Sequence, residues 1–91
     1  MFQVEWLEEA LNDLVRVWKN ADASERPGIT AAIRRVDLRL NSSPHVQGES
    51  REDNERVLIE LPLGLQTYVE FDKQLVSVAH LWYIERRRRR R

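Results

Sequence analysis

The chain has 91 residues, no cysteine, two histidines, and basic and acidic residues in equal number, fifteen of each. That length supports one hydrophobic core. The lack of thiols excludes a disulfide framework or a thiolate metal site, and His45 and His80 alone fall short of a zinc ligand set, so no metal or other cofactor is expected. Met1 to Leu7 hold no basic segment followed by an apolar run, and no apolar stretch nears the roughly 20 residues that span a bilayer, so a cytoplasmic protein with no membrane contact is expected.

The zero net charge is unevenly spread. Residues 1–85 hold nine basic residues against all fifteen acids, a net of −6, and the run Arg86 to Arg91 adds +6. Such a split marks a basic arm suited to a polyanionic partner. The chain therefore divides into a folded body, 1–85, and an arginine tail, 86–91.

In chain order, Phe2, Val4 and Trp6 alternate with Gln3 and Glu5, which predicts a short strand. The period then changes. Leu7, Leu11, Leu14 and Trp18 recur at spacings of three and four, one face of a helix running to about Ala21, with Glu8 and Glu9 in the first turn, where the dipole favours acids. A polar link to Gly28 follows, with Ser24 as candidate N-cap and Pro27 tolerated in the first turn. Ile29, Ile33, Val36 and Leu40 predict a second amphipathic helix with Arg34, Arg35 and Arg39 outside. The short link makes the pair an antiparallel hairpin.

Asn41 to Glu55 reads as a long polar loop. Three strands follow. Val57, Ile59 and Leu61 alternate with Arg56, Leu58 and Glu60. After Pro62-Leu63-Gly64, Leu65, Thr67, Val69 and Phe71 alternate with Gln66, Tyr68 and Glu70. After the turn Asp72-Lys73-Gln74, Leu75 to Glu85 form the last strand, the richest in β-formers. Turns this short join antiparallel neighbours. The expected fold is α+β, βααβββ, with the hairpin on one face of a four-stranded, mainly antiparallel sheet and the other face open.

At this point the sequence resembles the RelE/ParE toxin superfamily, from Val4 to about Arg87. The resemblance is carried by "VEWLEEALNDLVRVW", "IRRVDLRLNSSP", "GESREDNERVLIELPLGLQTYVEFD" and "LVSVAHLW". It implies the toxin of a type II toxin–antitoxin system, with a cognate antitoxin as partner. Members of that superfamily divide: RelE-like ones cleave messenger RNA at the ribosome without metal, and ParE-like ones inhibit DNA gyrase without chemistry. Others have no established activity, and a shared fold does not choose among them. The first expectation from the resemblance is the RelE-like activity, for which the matching catalytic positions are Arg56, His80, Tyr83 and Arg86, with Arg51 as a phosphate contact; the alternative is a ParE-like inhibitor or a nontoxic binding module. A metal-free ribonuclease needs a base, an acid and cations around one phosphate.

Alternation assigns these residues to faces. With Val57, Ile59 and Leu61 toward the core, Arg56 faces the open groove, free to act there or to pair with Glu60 or Glu70. His80 shares parity with Val76 and Val78, and points toward the hairpin unless a bulge intervenes. Tyr83 shares parity with Ser77, Ala79 and Leu81, on the open face. Glu60, Glu70, Tyr68 and Gln66 join it, a face more acidic than a nuclease wants. Trp6, Trp18, Trp82, Phe2 and Phe71 read as core.

The arginine tail, Arg87, Arg88 and Arg89 at its centre, is a candidate nucleic-acid-binding arm. Six phosphate contacts would give a salt slope of roughly −5 on duplex and −4 on single strands. Its alternatives are a solvated tail pairing with the acidic body, or a hold on an acidic antitoxin. The exposed sheet edge also suits a homodimer or an added partner strand.

Overall fold

The computed structural model describes residues 2–42, 49–50 and 54–85, with Glu49 and Ser50 described by backbone alone. In chain order these form β1 (Gln3–Trp6), α1 (Glu8–Asn20), α2 (Arg26–Ser42), β2 (Glu49–Ser50), β3 (Glu55–Glu60), β4 (Leu63–Glu70) and β5 (Leu75–Tyr83). They build the expected α+β fold, a helix hairpin on a mostly antiparallel sheet. The strand order is β1-β5-β4-β3-β2. β1 runs parallel to β5, and every other pairing is antiparallel. The parallel pair follows from topology: the helix hairpin carries the chain away after β1, and β5 returns beside it. The expected loop from Asn41 is shorter than its composition suggested, because Asn41 and Ser42 complete α2 and Glu49–Ser50 add a fifth, two-residue strand.

The core lies between the helices and one sheet face. Ala10, Ile29, Ala32, Val36 and Leu40 come from the hairpin, and Leu58, Leu63, Leu65, Val69, Val76, Val78 and Leu81 from the sheet. α1 lies along β5, and α2 crosses β1 and β3. Small residues, Ala10 and Ala32, let the helix axes approach the strands closely; both are fully buried.

The link between the helices is organised by Asp22 rather than Ser24. Asp22 Oδ1 accepts from the Ser24 and Glu25 amides, each at 3.0 Å, and from the Ser24 hydroxyl at 2.8 Å. Glu25 Oε1 accepts from the Asp22 amide at 2.9 Å, the reciprocal arrangement of a capping box. The Ser24 hydroxyl and the backbone amides hold the Asp22 carboxyl below the usual carboxylate range.

β4 sets the face of every neighbour. Leu63, Leu65, Thr67 and Val69 are buried, while Gln66, Tyr68 and Glu70 alternate with them. The register places Leu58 opposite Leu65, Arg56 opposite Thr67 and Glu60 opposite Leu63. Directly opposed residues share a face. Arg56, Leu58 and Glu60 therefore face the helices, and Val57, Ile59 and Leu61 do not, the reverse of the expected assignment. Leu58 is 2% exposed, against 50% for Ile59 and 51% for Leu61. What makes a carboxylate tolerable on the helix side is α2: Arg35 Nε donates to Glu60 Oε2 at 2.6 Å and Arg39 to Glu60 Oε1.

A β-bulge changes the second half of β5. Thr67 is opposite Val78 but Gln66 is opposite His80, so Ala79 is the extra residue. Val76 and Val78 face the helices before it; Leu81 and Tyr83 do so after it. His80 and Trp82 are turned to the open face.

Candidate functional site

The open face is built from alternate residues of four strands. Glu5 and Ser77 meet on β1 and β5, and Glu55, Tyr68 and Ser77 form a row across β3, β4 and β5. The next rows are Val57, Gln66 and His80, then Ile59, Gly64 and Trp82. The Trp82 ring lies over Gly64, where a methyl group would come within 2.5 Å of its Cε2 and Nε1. This ring is 40% exposed, beside Ile59. Trp82 is thus a surface platform rather than core. The strand residues assigned to this face carry the carboxylates Glu5, Glu55 and Glu70 and no lysine or arginine; the Gln66 amide donates to Glu55.

The structure separates the residues singled out for catalysis. Arg56 is half-buried on the helix side of β3, its Nη1 donating to the Glu55 carbonyl at 3.2 Å. His80 is on the other face, at the edge of β5 that β1 does not cover. Its Nε2 is 3.5 Å from Glu9 and its Nδ1 3.4 Å from Asp13, both of α1. Tyr83 is on the helix side rather than the expected open face, because the bulge inverts parity after Ala79. Its partner on β4 is Leu63, four residues from Thr67, the partner of Arg56. That puts Arg56 and Tyr83 about 13 Å apart along the strand. Glu60, expected on the open face, is bound by Arg35 and Arg39. Arg86, Arg51, Arg87, Arg88, Arg89 and His45 lie outside the described residues.

Tyr83 closes a cleft of about 440 Å³ between α1 and the end of β5, with Asp13, Glu25, Glu85 and Trp82 among its walls. Tyr83 Oη donates to Glu25 Oε2 at 3.5 Å. Removal from water pushes the phenol above its ordinary range, and the nearby Glu25, Asp22 and Glu85 carboxylates add to this. A phenol raised in this way keeps its proton at neutral pH and is a poor base. Asp13 is the structural centre of the cleft. Its Oδ2 accepts from the Leu81 amide at 3.1 Å, satisfying the uncovered edge of β5, and its Oδ1 pairs with Arg16. Its spacing from the apolar stripe marks it only as a polar helix residue, so sequence patterning did not single it out.

A second concavity, about 570 Å³, runs along the outside of the hairpin between α1 and α2. Leu14, Val15, Trp18, Ile29 and Ile33 supply its apolar walls and Lys19, Arg34 and Asp37 its rim. Val15 is 52% exposed and Trp18 38%, so Trp18, expected in the core, is a groove residue. The Arg26 guanidinium sits 5.1 Å from its ring centroid. Among the described residues no group of three or more His, Asp or Glu side chains is arranged to hold a metal ion, and no helix is long and apolar enough to cross a membrane.

No family model matches the chain, and no curated protein matches it. Solved structures do. A chain of the chromosomal ParDE toxin–antitoxin system from P. aeruginosa superposes with a TM-score of 0.73 at 14% identity, over 93% of this chain and 98% of that one. The isolated E. coli RelE toxin gives 0.62 at 16% identity, over 96% of this chain and 88% of that one. A chain of the RelBE2 toxin–antitoxin complex from Mycobacterium tuberculosis gives 0.62 at 16% identity, over 90% and 96%. At these identities the likeness is one of architecture, and it extends over nearly all of each molecule: the chain shares its fold with these ParDE, RelE and RelBE2 chains.

Proposed function

We propose that the chain is a toxin of the RelE/ParE superfamily, the toxic half of a type II toxin–antitoxin pair, and that it acts by binding its target rather than by cutting RNA. The toxin–antitoxin reading is supported by the shared fold of the ParDE and RelBE chains. The observation that carries binding over cleavage is the separation of Arg56, His80 and Tyr83 between two faces and two ends of the sheet. A metal-independent nuclease must converge its base, acid and cations on one phosphate. Here Tyr83 holds its proton, His80 is flanked by two carboxylates, and the open face carries Glu5, Glu55 and Glu70, which repel phosphate. In this reading residues 1–85 are the toxin domain and 86–91 a basic arm. An antitoxin neutralises the chain, and the target is the one the ParE resemblance implies, DNA gyrase.

The test is induction in bacterial cells with transcript-end mapping, beside a supercoiling assay on purified gyrase. Growth arrest with intact transcripts and inhibited supercoiling is the expected result. Transcripts cut at defined positions, with cutting lost on Arg56→Ala combined with removal of residues 86–91, would replace binding by ribonuclease action at the ribosome. Unimpaired growth at high expression would make the chain a nontoxic binding module.

A further inference from the structure

The open face is polarised along its strands. Its last row, at the end where the chain leaves β5, is apolar: Ile59 is 50% exposed and Trp82 40%, and Leu61, 51% exposed, follows Ile59 on the same side. The opposite end holds the carboxylates. Glu5 and Glu55 share the Ser77 row, and Glu70 stands opposite Leu75 in the row before it. Lys73 approaches Glu70 at 3.7 Å and the Gln66 amide donates to Glu55, so this end keeps a net negative charge. Rows on one face repeat every two residues, which puts the two acidic rows roughly 14 and 20 Å from the Trp82 row. Past Tyr83 the Ile84 amide donates to the Pro62 carbonyl at 2.7 Å, which keeps the chain on the line of β5. Glu85 therefore stands about 10 Å beyond Trp82, pointing away from the acidic end. The six arginines that follow span at most about 20 Å, and the way back from Glu85 to the carboxylates of the same chain is roughly 24 to 30 Å.

We infer that the open face pairs with the open face of a second copy turned end for end, with the apolar ends overlapping and the 86–91 arginines of each copy meeting the acidic end of the other. A twofold axis across the strands at the Trp82 row does this. It sets Trp82 and Ile59 against the same two side chains of the second copy, a self-complementary apolar contact. It also carries each arm forward, in the direction β5 already runs, to carboxylates that begin roughly 14 Å past the axis and are within reach. Charge selects this offset. Full overlap of the two faces would press each set of carboxylates against the apolar end of the other copy without partners. The offset leaves them to the arginines, and the charges match because the body is −6 and the arm +6. Pairing covers the Trp82 end and the arm together, so the concentrated chain withholds both from other partners and dilution releases them.

The test is sedimentation velocity on the whole chain and its variants. At about 100 μM protein and about 50 mM salt the whole chain should be a dimer, and about 500 mM salt should weaken that dimer roughly tenfold or more. The chain without residues 86–91 and the double variant Glu5→Lys, Glu70→Lys should each be monomeric at the lower salt, the first for want of the arm and the second for want of the acidic end. Mixed, they should form a dimer of one of each, because the first supplies the acidic end and the second the arm. Trp82→Ser should weaken both the whole-chain dimer and the mixed one. Every substituted side chain is exposed, and circular dichroism checks that each variant folds; Glu5→Gln with Glu70→Gln serves if the lysines prevent folding. A whole chain that stays monomeric at the lower salt, a dimer undiminished by loss of residues 86–91, monomeric variants that fail to pair when mixed, or pairing indifferent to Trp82→Ser would overturn the inference. Growth arrest is scored separately, since a chain that pairs without arresting growth keeps this inference and loses the toxin reading.

Discussion

Gly64 has no room for a side chain. A Cβ there would stand 2.5 Å from two atoms of the Trp82 ring and 2.7 Å from a third. The ring is partly exposed and can swing away, so Gly64→Ala should cost only about 1–2 kcal/mol and free the indole into solvent. Tryptophan emission should move to longer wavelength. In the double variant Gly64→Ala, Trp82→Leu the cost of the alanine should shrink, since the two residues share one contact. Glu60 makes a different kind of prediction. Burial pushes its carboxyl up, but the Arg35 and Arg39 guanidiniums bonded to it outweigh burial and hold it below the usual range. A carboxylate with a depressed folded pKa stabilises the fold above its unfolded pKa, about 4.3, and that contribution is lost as pH falls through the folded value. Glu60→Gln should therefore lower stability at pH 7 by about 1–2 kcal/mol, discounted for two arginines that are nearly half exposed. The gap between wild type and variant should narrow as the denaturation series is taken from pH 5 toward pH 2.

At the scale of elements, the question is what attaches α1 to β5. β1 ends at Trp6, opposite Val78, so the outer edge of β5 beyond Val78 has no strand beside it among the described residues. Leu7 donates to the Val78 carbonyl at 3.0 Å, and one turn into α1 the Asp13 carboxylate takes the Leu81 amide. A helix side chain thus continues the ladder where the strand stops. Asp13→Ala should cost about 1–3 kcal/mol by orphaning that amide, and Asp13→Asn, which keeps an acceptor, distinctly less. Faster hydrogen exchange at Leu81 in the alanine variant checks the cause. The same half of β5 shows where the sequence stopped being legible. Hydrophobic period fixed the number, type and order of the main elements, because each helix and each of the four main strands has a side to bury. It did not fix faces on β3, where Leu58 and Ile59 are equally apolar and only the pairing with Leu65 and the α2 arginines decide. Nor did it fix faces beyond Ala79, since an extra residue in the ladder leaves no mark on composition. Arg56 and Tyr83 were turned the wrong way for these two reasons, and His80 takes the open face by the bulge that its expected direction had excepted. Gly64, read from the sequence as part of the break after β3, lies inside β4 with the Trp82 ring over it, the close approach that a glycine within a strand often marks.

Over the whole molecule, charge is divided among three surfaces. The open sheet face carries carboxylates, the outer side of α2 carries a surplus of arginine, and residues 86–91 hold six positive charges against a body of −6. If nucleic acid is engaged at all, these surfaces compete for the role with different consequences for salt. A sheet face bearing Glu5, Glu55 and Glu70 contributes no phosphate contacts, and an arginine arm contributes up to one per residue. The exponent of salt dependence counts such contacts directly. Anisotropy titrations of the whole chain on a short duplex should therefore give a log–log slope of roughly −5 over 50 to 200 mM salt, and roughly −4 on a single strand. Removal of residues 86–91 should leave the fold intact, because the buried core ends with Leu81 and the last strand with Tyr83. It should also bring the slope close to zero. A truncated chain that retained most of the slope would put the phosphate contacts on α2 instead, and Arg34→Glu in the truncated background would then remove them. Growth arrest by the truncated chain would show that the toxic contact and the electrostatic one are made by different parts of the molecule, as expected if the body occludes a protein and the arm only raises the local concentration near a polyanion.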